Sequence, residues 1–264
     1  MEDLYRHAHK LREVNPLVHC LTNQVVMQTT ANVLLAAGAS PAMLDAPEDA
    51  AAFAKNSSAV LVNTGTPHAA KYVASREAIR GAREAGVPWV LDPIGAGAPN
   101  AVGDFCSSIL ADKPDVISGN ASEIVALAGM GDTARGVDAT IDVDDALDAA
   151  ISLAARTGGV VAVTGARDLT VSAGRSTWLT SGVPMLQQVI GTGCSLGALC
   201  AAYASLDMDP HDAVVTAHAH LGAAAQIAAE TAHGPGSFAV AWLDAIAAVT
   251  PERMRELTSV EETR

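Results

Sequence analysis

At 264 residues the chain is long enough for one large α/β domain with a sizeable core, and no linker-like stretch divides it. Half of its residues are hydrophobic but only 3% are aromatic, so the interior must be built from Ala, Val, Leu and Gly, which suits close packing of helices on a sheet. A formal net charge of −13 with no basic stripe argues against nucleic acid or an anionic membrane as partner. The first residues lack the apolar core of a signal peptide and no run approaches the roughly 20 apolar residues of a membrane helix, so the expectation is a cytoplasmic protein.

Residues 4–14 read as an amphipathic helix that Asn15-Pro16 stops. Residues 17–26 are an apolar strand that turns polar at Thr22 and Asn23 before a helical run over 29–37. Polar side chains at the C-terminal end of a strand are where open α/β sheets bind ligands, which makes Asn23 a candidate substrate contact; the same residue would equally cap the next helix. Residues 38–43 form a turn and a short strand, in which Met43 taken alone reads as core packing. A helix starts near Asp45-Ala46-Pro47. Residues 59–66 are a second short buried strand with a polar tip, and 71–85 the helix after it. This βαβ alternation predicts an α/β fold whose central sheet is mostly parallel, with helices on both faces.

Residues 88–97 repeat the pattern with Asp92 at the strand tip. It is a candidate for holding Mg²⁺, directly or through water, because a hard cation takes oxygen ligands; as an Asp before Pro it could also be a turn residue. The next strand and helix span 115–124, where Asn120 fits an N-cap and Glu123 stands three positions on, the spacing of a capping box. Asp92 and Glu123 nevertheless arrive at successive strand ends on one rim, so they could converge on magnesium. Residues 138–148 are an acidic, solvated loop before a helix over 146–156. Residues 159–165 are a buried strand ending in Thr164-Gly165. Residues 169–172 and 176–180 form an antiparallel hairpin whose Gly174-Arg175 tip either overlies a nucleotide or is a surface turn. Helices follow over 194–205, 212–232 and 239–249. The charged tail 251–264 reads as a short helix that frays. His218 and His220, two apart, do not share a helix face and are read as core or surface residues rather than a metal pair.

Chemistry concentrates in Val189-Ile190-Gly191-Thr192-Gly193-Cys194-Ser195-Leu196-Gly197. A strand-like run ends at Ile190, two glycines allow a tight turn, and an alanine-rich helix begins near Cys194. The unpaired N–H groups and positive dipole of a helix start suit an anion. The same field would lower the Cys194 thiol pKa and make it a base or nucleophile. An ordinary strand-to-helix turn with a small buried cysteine is the plain alternative. Cys20, Cys106, Cys194 and Cys200 show no C-x-x-C spacing, and neither G-x-x-x-x-G-K-[ST] nor an early G-x-G-x-x-G is present, so any phosphate is bound by another device.

The stretches Asn15-Pro16-Leu17-Val18-His19, Thr22-Asn23, Gly38-Ala39-Ser40-Pro41 with Met43, Leu91-Asp92-Pro93-Ile94-Gly95-Ala96-Gly97, Gly119-Asn120-Ala121-Ser122-Glu123, Val163-Thr164-Gly165 and Gly191-Thr192-Gly193-Cys194 together resemble the hydroxyethylthiazole kinases of the ribokinase-like superfamily, along nearly the whole chain. The resemblance implies a single ribokinase-like domain and ATP-dependent phosphorylation of 4-methyl-5-(2-hydroxyethyl)thiazole for thiamine biosynthesis or salvage. It implies Cys194 as the base, where many relatives in the superfamily place aspartate, with Gly193 and Thr192 in the anion hole for the transferring phosphoryl group. Met43, Gly191 and Asn23 then fall at the thiazole, Thr164, Ser118 and Asn120 at ATP, and Asp92 and Glu123 at Mg²⁺. A homotrimer with the substrate pocket between subunits is implied as well. Ser118 stands where relatives usually carry Arg; Cys20 and Gln24 also depart from the family pattern. Two alternatives share the scaffold: a kinase of a pyrimidine or pyridoxal alcohol, and a nucleotide-dependent hydrate dehydratase, against which Cys194 counts.

Overall fold

The computed structural model describes residues 4–130 and 142–263. A short turn of 3-10 helix leads into α1 (His7–Val14), which ends at Asn15 in the left-handed conformation just before Pro16. There follow β1 (Leu17–Leu21), α2 (Met27–Ala37), β2 (Ser40–Ala42), α3 (Pro47–Lys55), β3 (Ala59–Asn63), α4 (Ala69–Ala85), β4 (Trp89–Asp92), α5 (Ala101–Ile109), β5 (Val116–Asn120) and α6 (Ala121–Ala128). After them come α7 (Leu147–Thr157), β6 (Val160–Thr164), β7 (Asp168–Ser172), β8 (Arg175–Thr180), α8 (Thr192–Ala204), α9 (Pro210–Thr231), α10 (Pro235–Ala248), α11 (Pro251–Leu257) and β9 (Ser259–Thr263).

The strands make one nine-stranded sheet in the order β2-β1-β3-β4-β5-β6-β7-β8-β9. Pairings from β2 through β6 are parallel, and those from β6 to β9 antiparallel. This is the expected α/β fold, mostly parallel and covered on both faces. The inner strands are continuous apolar runs because side chains alternate between two buried faces. On β3, Ala59 and Leu61 enter the core beneath α2, α8, α9 and α10, whereas Val60 and Val62 enter the core beneath α3 to α7. Helix α8 is buried from Ser195 through Tyr203 and lies against β1, β3, β4 and β5, so its small residues serve a crossing that bulky ones would push apart.

Two expectations are corrected and one open alternative is decided. Residues 251–263 do not fray: Met254 of α11 is buried with Leu4, Tyr5, Ala8 and Val249, and β9 pairs with β8 from Thr180↔Ser259 to Ser176↔Thr263. Its two acids are adjacent, so they point to opposite faces of this exposed edge strand, and each pairs with an arginine, Glu261 with Arg167 and Glu262 with Arg175. Residues 189 and 190 are not strand; a 3-10 helix, Pro184–Gln188, precedes the Gly191 turn. The Gly174-Arg175 tip is a surface turn, because β7 runs back from the C-terminal rim of the parallel strands and carries the tip to the opposite end, where Arg175 meets Asp209, Asp212 and Glu262. The acidic stretch 138–148 lies partly outside the described residues; its described part enters α7 through a 3-10 turn at Asp144–Ala146.

Candidate functional site

Strand order reverses between β1 and β3: from β1 the chain steps outward through α2 to β2, then returns through α3 to β3 on the other side. Ligands of open α/β sheets bind at such a crevice, beyond the C-terminal strand ends. The alternation that buries Leu61 and Val90 beneath α8 puts Asn63, Asp92, Ser118 and Thr164 on that same face at the strand ends. Each strand is thus apolar until its last position or two and polar where the sheet stops.

Asn23, beyond β1, does not cap α2. That helix has Val26 as N-cap with no side-chain bond, and the Asn23 amide instead donates to Cys194 Sγ and to Asn63 Oδ1, both at 3.3 Å. Asn63 also accepts from the Gly65 N–H at 3.0 Å, and its own Nδ2 donates to the Asp92 carboxylate. A side chain at Gly65 would press on Asn23 and Asn63, with its Cβ 3.0 Å from Asn23 Cβ and 3.2 Å from Asn63 Oδ1. Lys71, on the first turn of α4, is only 3% exposed and donates to the Gly65 carbonyl at 2.5 Å.

Opposite this network α8 begins. Gly191 is its N-cap at φ +92°, a conformation that suits glycine, and an added Cβ would stand 3.0 Å from Val26. Thr192 Oγ1 donates to the Leu186 carbonyl at 3.1 Å and so ties the turn to the preceding 3-10 helix. The first-turn N–H groups of Thr192, Gly193 and Cys194 have no intrahelical partner, as an anion requires.

Electrostatically the site is short of positive charge. Burial, then the charge of Asp92, pushes the Cys194 thiol up to about 12, against the pull of Asn63 and Asn23. The expectation of a thiol acidified by the helix start is therefore corrected: desolvation and a neighbouring carboxylate outweigh the dipole. Burial, then Glu123, pushes Asp92 up to about 8 despite Asn63 and Lys71. Glu123 is raised by burial, although it accepts the Asn120 N–H at 2.9 Å in a complete capping box. Lys71 is lowered by burial to about 8 while Asp45, Asp92 and Cys194 pull it upward. A buried carboxylate raised by burial and by the charge of a second, half-buried one suits a hard cation completed by phosphate and water, although no cluster of three or more His, Cys, Asp or Glu able to hold a metal occurs among the described residues.

A cleft of about 400 Å³ opens on the far side of Gly193. Asn120, Thr164, Gly182, Leu186, Thr192 and Gly193 are among the residues that line it. Thr164 Oγ1 donates to the Gly119 carbonyl at 3.4 Å, and Asn120 is its register partner on β5. Ser118 is buried just inward of these two and leaves no long cation reaching toward the cleft from this strand. His218 stands in the cleft wall: burial opposes its protonation, but Asp168 at 2.9 Å outweighs that and raises its pKa. Met43 is half-buried on the rim of the α8-side core, beyond β2, apart from the Cys194 network.

Of the residues singled out from sequence, Asn23, Asp92 and Cys194 come together directly, Glu123 joins them through its charge on Asp92, and Thr164 and Asn120 share the cleft with Thr192 and Gly193. Asn63 and Lys71 were missed. Asn63 was visible only as part of a polar strand tip. Lys71 had a better signal: a cation in the first turn opposes the helix dipole, so it needs another reason to be there.

The fold places the chain in a class first. It superimposes on a pyridoxal kinase of Staphylococcus aureus in complex with pyridoxal at a TM-score of 0.68 and 16% identity, covering 94% of this chain and 97% of that one, a likeness in fold that is ribokinase-like. The structure of a hydroxyethylthiazole kinase protein from Pyrococcus horikoshii OT3 is far nearer, with a TM-score of 0.91 and 36% identity over the whole of both chains. The hydroxyethylthiazole kinase of Corynebacterium glutamicum is 59% identical over 96% of each chain. A model of the hydroxyethylthiazole kinase family matches residues 8–252, and the chain belongs to that family.

Proposed function

We propose that this chain carries out its family's reaction, transfer of the γ-phosphoryl group of ATP to the hydroxyl of 4-methyl-5-(2-hydroxyethyl)thiazole, yielding the phosphate used in thiamine biosynthesis. The observation that carries the reading is the meeting of Cys194, Asn23 and Asp92 at the start of α8. The substrate hydroxyl gives its proton to Cys194 Sγ in the thiolate form, its oxygen forms the new bond to the γ-phosphorus, and the bond to the β–γ bridging oxygen breaks to release ADP. The Asn23 amide steadies the thiolate, and the N–H groups of Thr192 to Cys194 face the transferring phosphoryl oxygens.

Asp92 and Glu123 would hold Mg²⁺. When bound it neutralises both carboxylates and the phosphate oxygens, and so removes the charge that most opposes the Cys194 thiolate. The cleft beside Thr164, Ser118 and Asn120 takes the rest of ATP. Gly191, Met43 and Asn23 border the thiazole side. Exposed Val25, Ile190, Leu35 and Val240, on or near α2, α8 and α10, support a homotrimer that covers this rim with a second subunit. The cytoplasm, where ATP is available, fits this reaction.

The test is ADP release with Mg-ATP and a panel holding the thiazole alcohol, a hydroxymethylpyrimidine and pyridoxal, with the phosphorylated product confirmed by mass. Turnover on the thiazole is expected; turnover on another alcohol alone would overturn the substrate assignment.

A further inference from the structure

Beyond the groups placed at the reacting atoms stands a buried cation, Lys71, to which the reaction as described gives no part. Lys71 enters from α4, on the sheet face opposite α8, and crosses to the strand tips. Among the described residues it is a lysine that burial leaves 3% exposed, and its backbone N–H is spent on the His68 ring that caps the helix. Burying a four-carbon stem and an ammonium is unfavourable unless the charge is hydrogen-bonded and offset. Its hydrogen bond goes to the Gly65 carbonyl. The other side of that residue, the Gly65 N–H, fixes Asn63 Oδ1, and the two carboxamides of Asn63 and Asn23 relay the arrangement to Asp92 and to Cys194 Sγ.

We propose that Lys71 is a positioning residue of the phosphoryl-transfer site: by holding the Gly65 turn it sets the Asn63 and Asn23 carboxamides that aim at Asp92 and the Cys194 sulfur. The inference rests on the thiazole kinase reading for its chemistry but not for its geometry. Charged and titratable groups surround Lys71 from several elements: Asp45 beyond β2, Asp92 on β4 and Cys194 on α8, with Glu123 of α6 acting on Asp92. A lysine with a solely structural part would need only the carbonyl bond. This one stands where its charge also offsets the acids around the reacting sulfur.

The experiment compares wild type with Lys71→Met and Lys71→Arg in two assays. Steady-state kinetics are expected to show kcat lowered about tenfold or more in Lys71→Met, KM for ATP within about threefold of wild type, and most of kcat recovered in Lys71→Arg. Alkylation by iodoacetamide at one fixed pH, mapped by mass spectrometry, reads Cys194 without any turnover; Cys20, Cys106 and Cys200 are buried and serve as internal controls. Slower labelling of Cys194 in Lys71→Met is expected, because its sulfur loses an aimed donor. Unchanged or faster labelling in a folded variant, or kcat equal to wild type, overturns the proposal. If Lys71→Met does not fold, Lys71→Gln carries the same two readings. An inactive wild type whose labelling still depends on Lys71 would count against the thiazole kinase reading and leave the positioning role standing.

Discussion

Around Cys194, side chains from the ends of β1, β3 and β4 satisfy one another at 2.5–3.3 Å, and Asn63, Asp92 and Lys71 are all nearly excluded from water. The cleft beside Thr164 is built otherwise: about 400 Å³, walled largely by glycines, small polar residues and a few aliphatic ones. The first region holds atoms in fixed directions at a site of high pKa stress, where a small displacement alters chemistry. The second admits a large ligand through shape and backbone groups, where a single side chain counts for less. Substitutions should therefore separate, with kcat falling in one region and KM for ATP rising in the other.

Cys194→Ala should make the largest difference, lowering kcat by about 10²- to 10⁴-fold, the usual contribution of a general base, with KM for ATP nearly unchanged. Equal losses in kcat and ATP affinity would erase the contrast between the two regions. Cys194→Asp should return much of the rate, because a carboxylate accepts the same proton. Its rate should persist to lower pH than that of wild type, since in the same surroundings a carboxylate, intrinsically several units more acidic than a thiol, ionises at lower pH. A folded but inactive Asp variant would remove the base assignment.

Asn63→Ala should combine a fall in kcat with a loss of stability of about 1–3 kcal/mol, because the Gly65 N–H and the Asp92 carboxyl lose a buried partner together. Urea unfolding with and without ADP measures it. A pH effect sharpens the comparison further. Lys71, with its pKa lowered by burial to about 8, carries its charge below that pH and loses it above. The ratio of wild-type to Lys71→Met kcat should thus be largest below about pH 8 and shrink above it, and the ratio of wild-type to Lys71→Arg kcat should also fall above it, because arginine keeps its charge there. The smallest effect belongs to the cleft. Thr164→Val should raise KM for ATP only a few-fold, since one hydrogen bond contributes about 0.5–1.5 kcal/mol, and should leave kcat close to wild type.

Much of the sheet was legible because buried parallel strands must be short apolar runs with polar tips, as in Ala59–Asn63 and Val160–Thr164. Asp92 could be placed on the rim for the same reason. The competing parts assigned to Asn23 could not be separated without the fold, because cap and ligand contact ask for the same residue type; only the approach of α8 shows where its amide goes. The acidity of Cys194 was misjudged because a helix start is visible in sequence and the depth of burial is not. The tail was misjudged for a related reason: charged residues look the same in a frayed end as on the solvated face of an edge strand. Lys71 escaped notice because its carbonyl partner belongs to the backbone of a glycine, and no side-chain pattern announces it.

The two borders of the sheet close it against self-association by different means. At one, β2 is three residues long and carries Pro41, which has no N–H to offer an approaching strand. At the other, β9 presents Glu261 and Glu262. A second copy of this acidic chain approaching β9 would bring like charges together along the contact. Strand-by-strand polymerisation, a hazard of any open sheet, is thus discouraged at one border by a missing donor and at the other by repulsion. Raising the salt concentration should weaken only the second barrier.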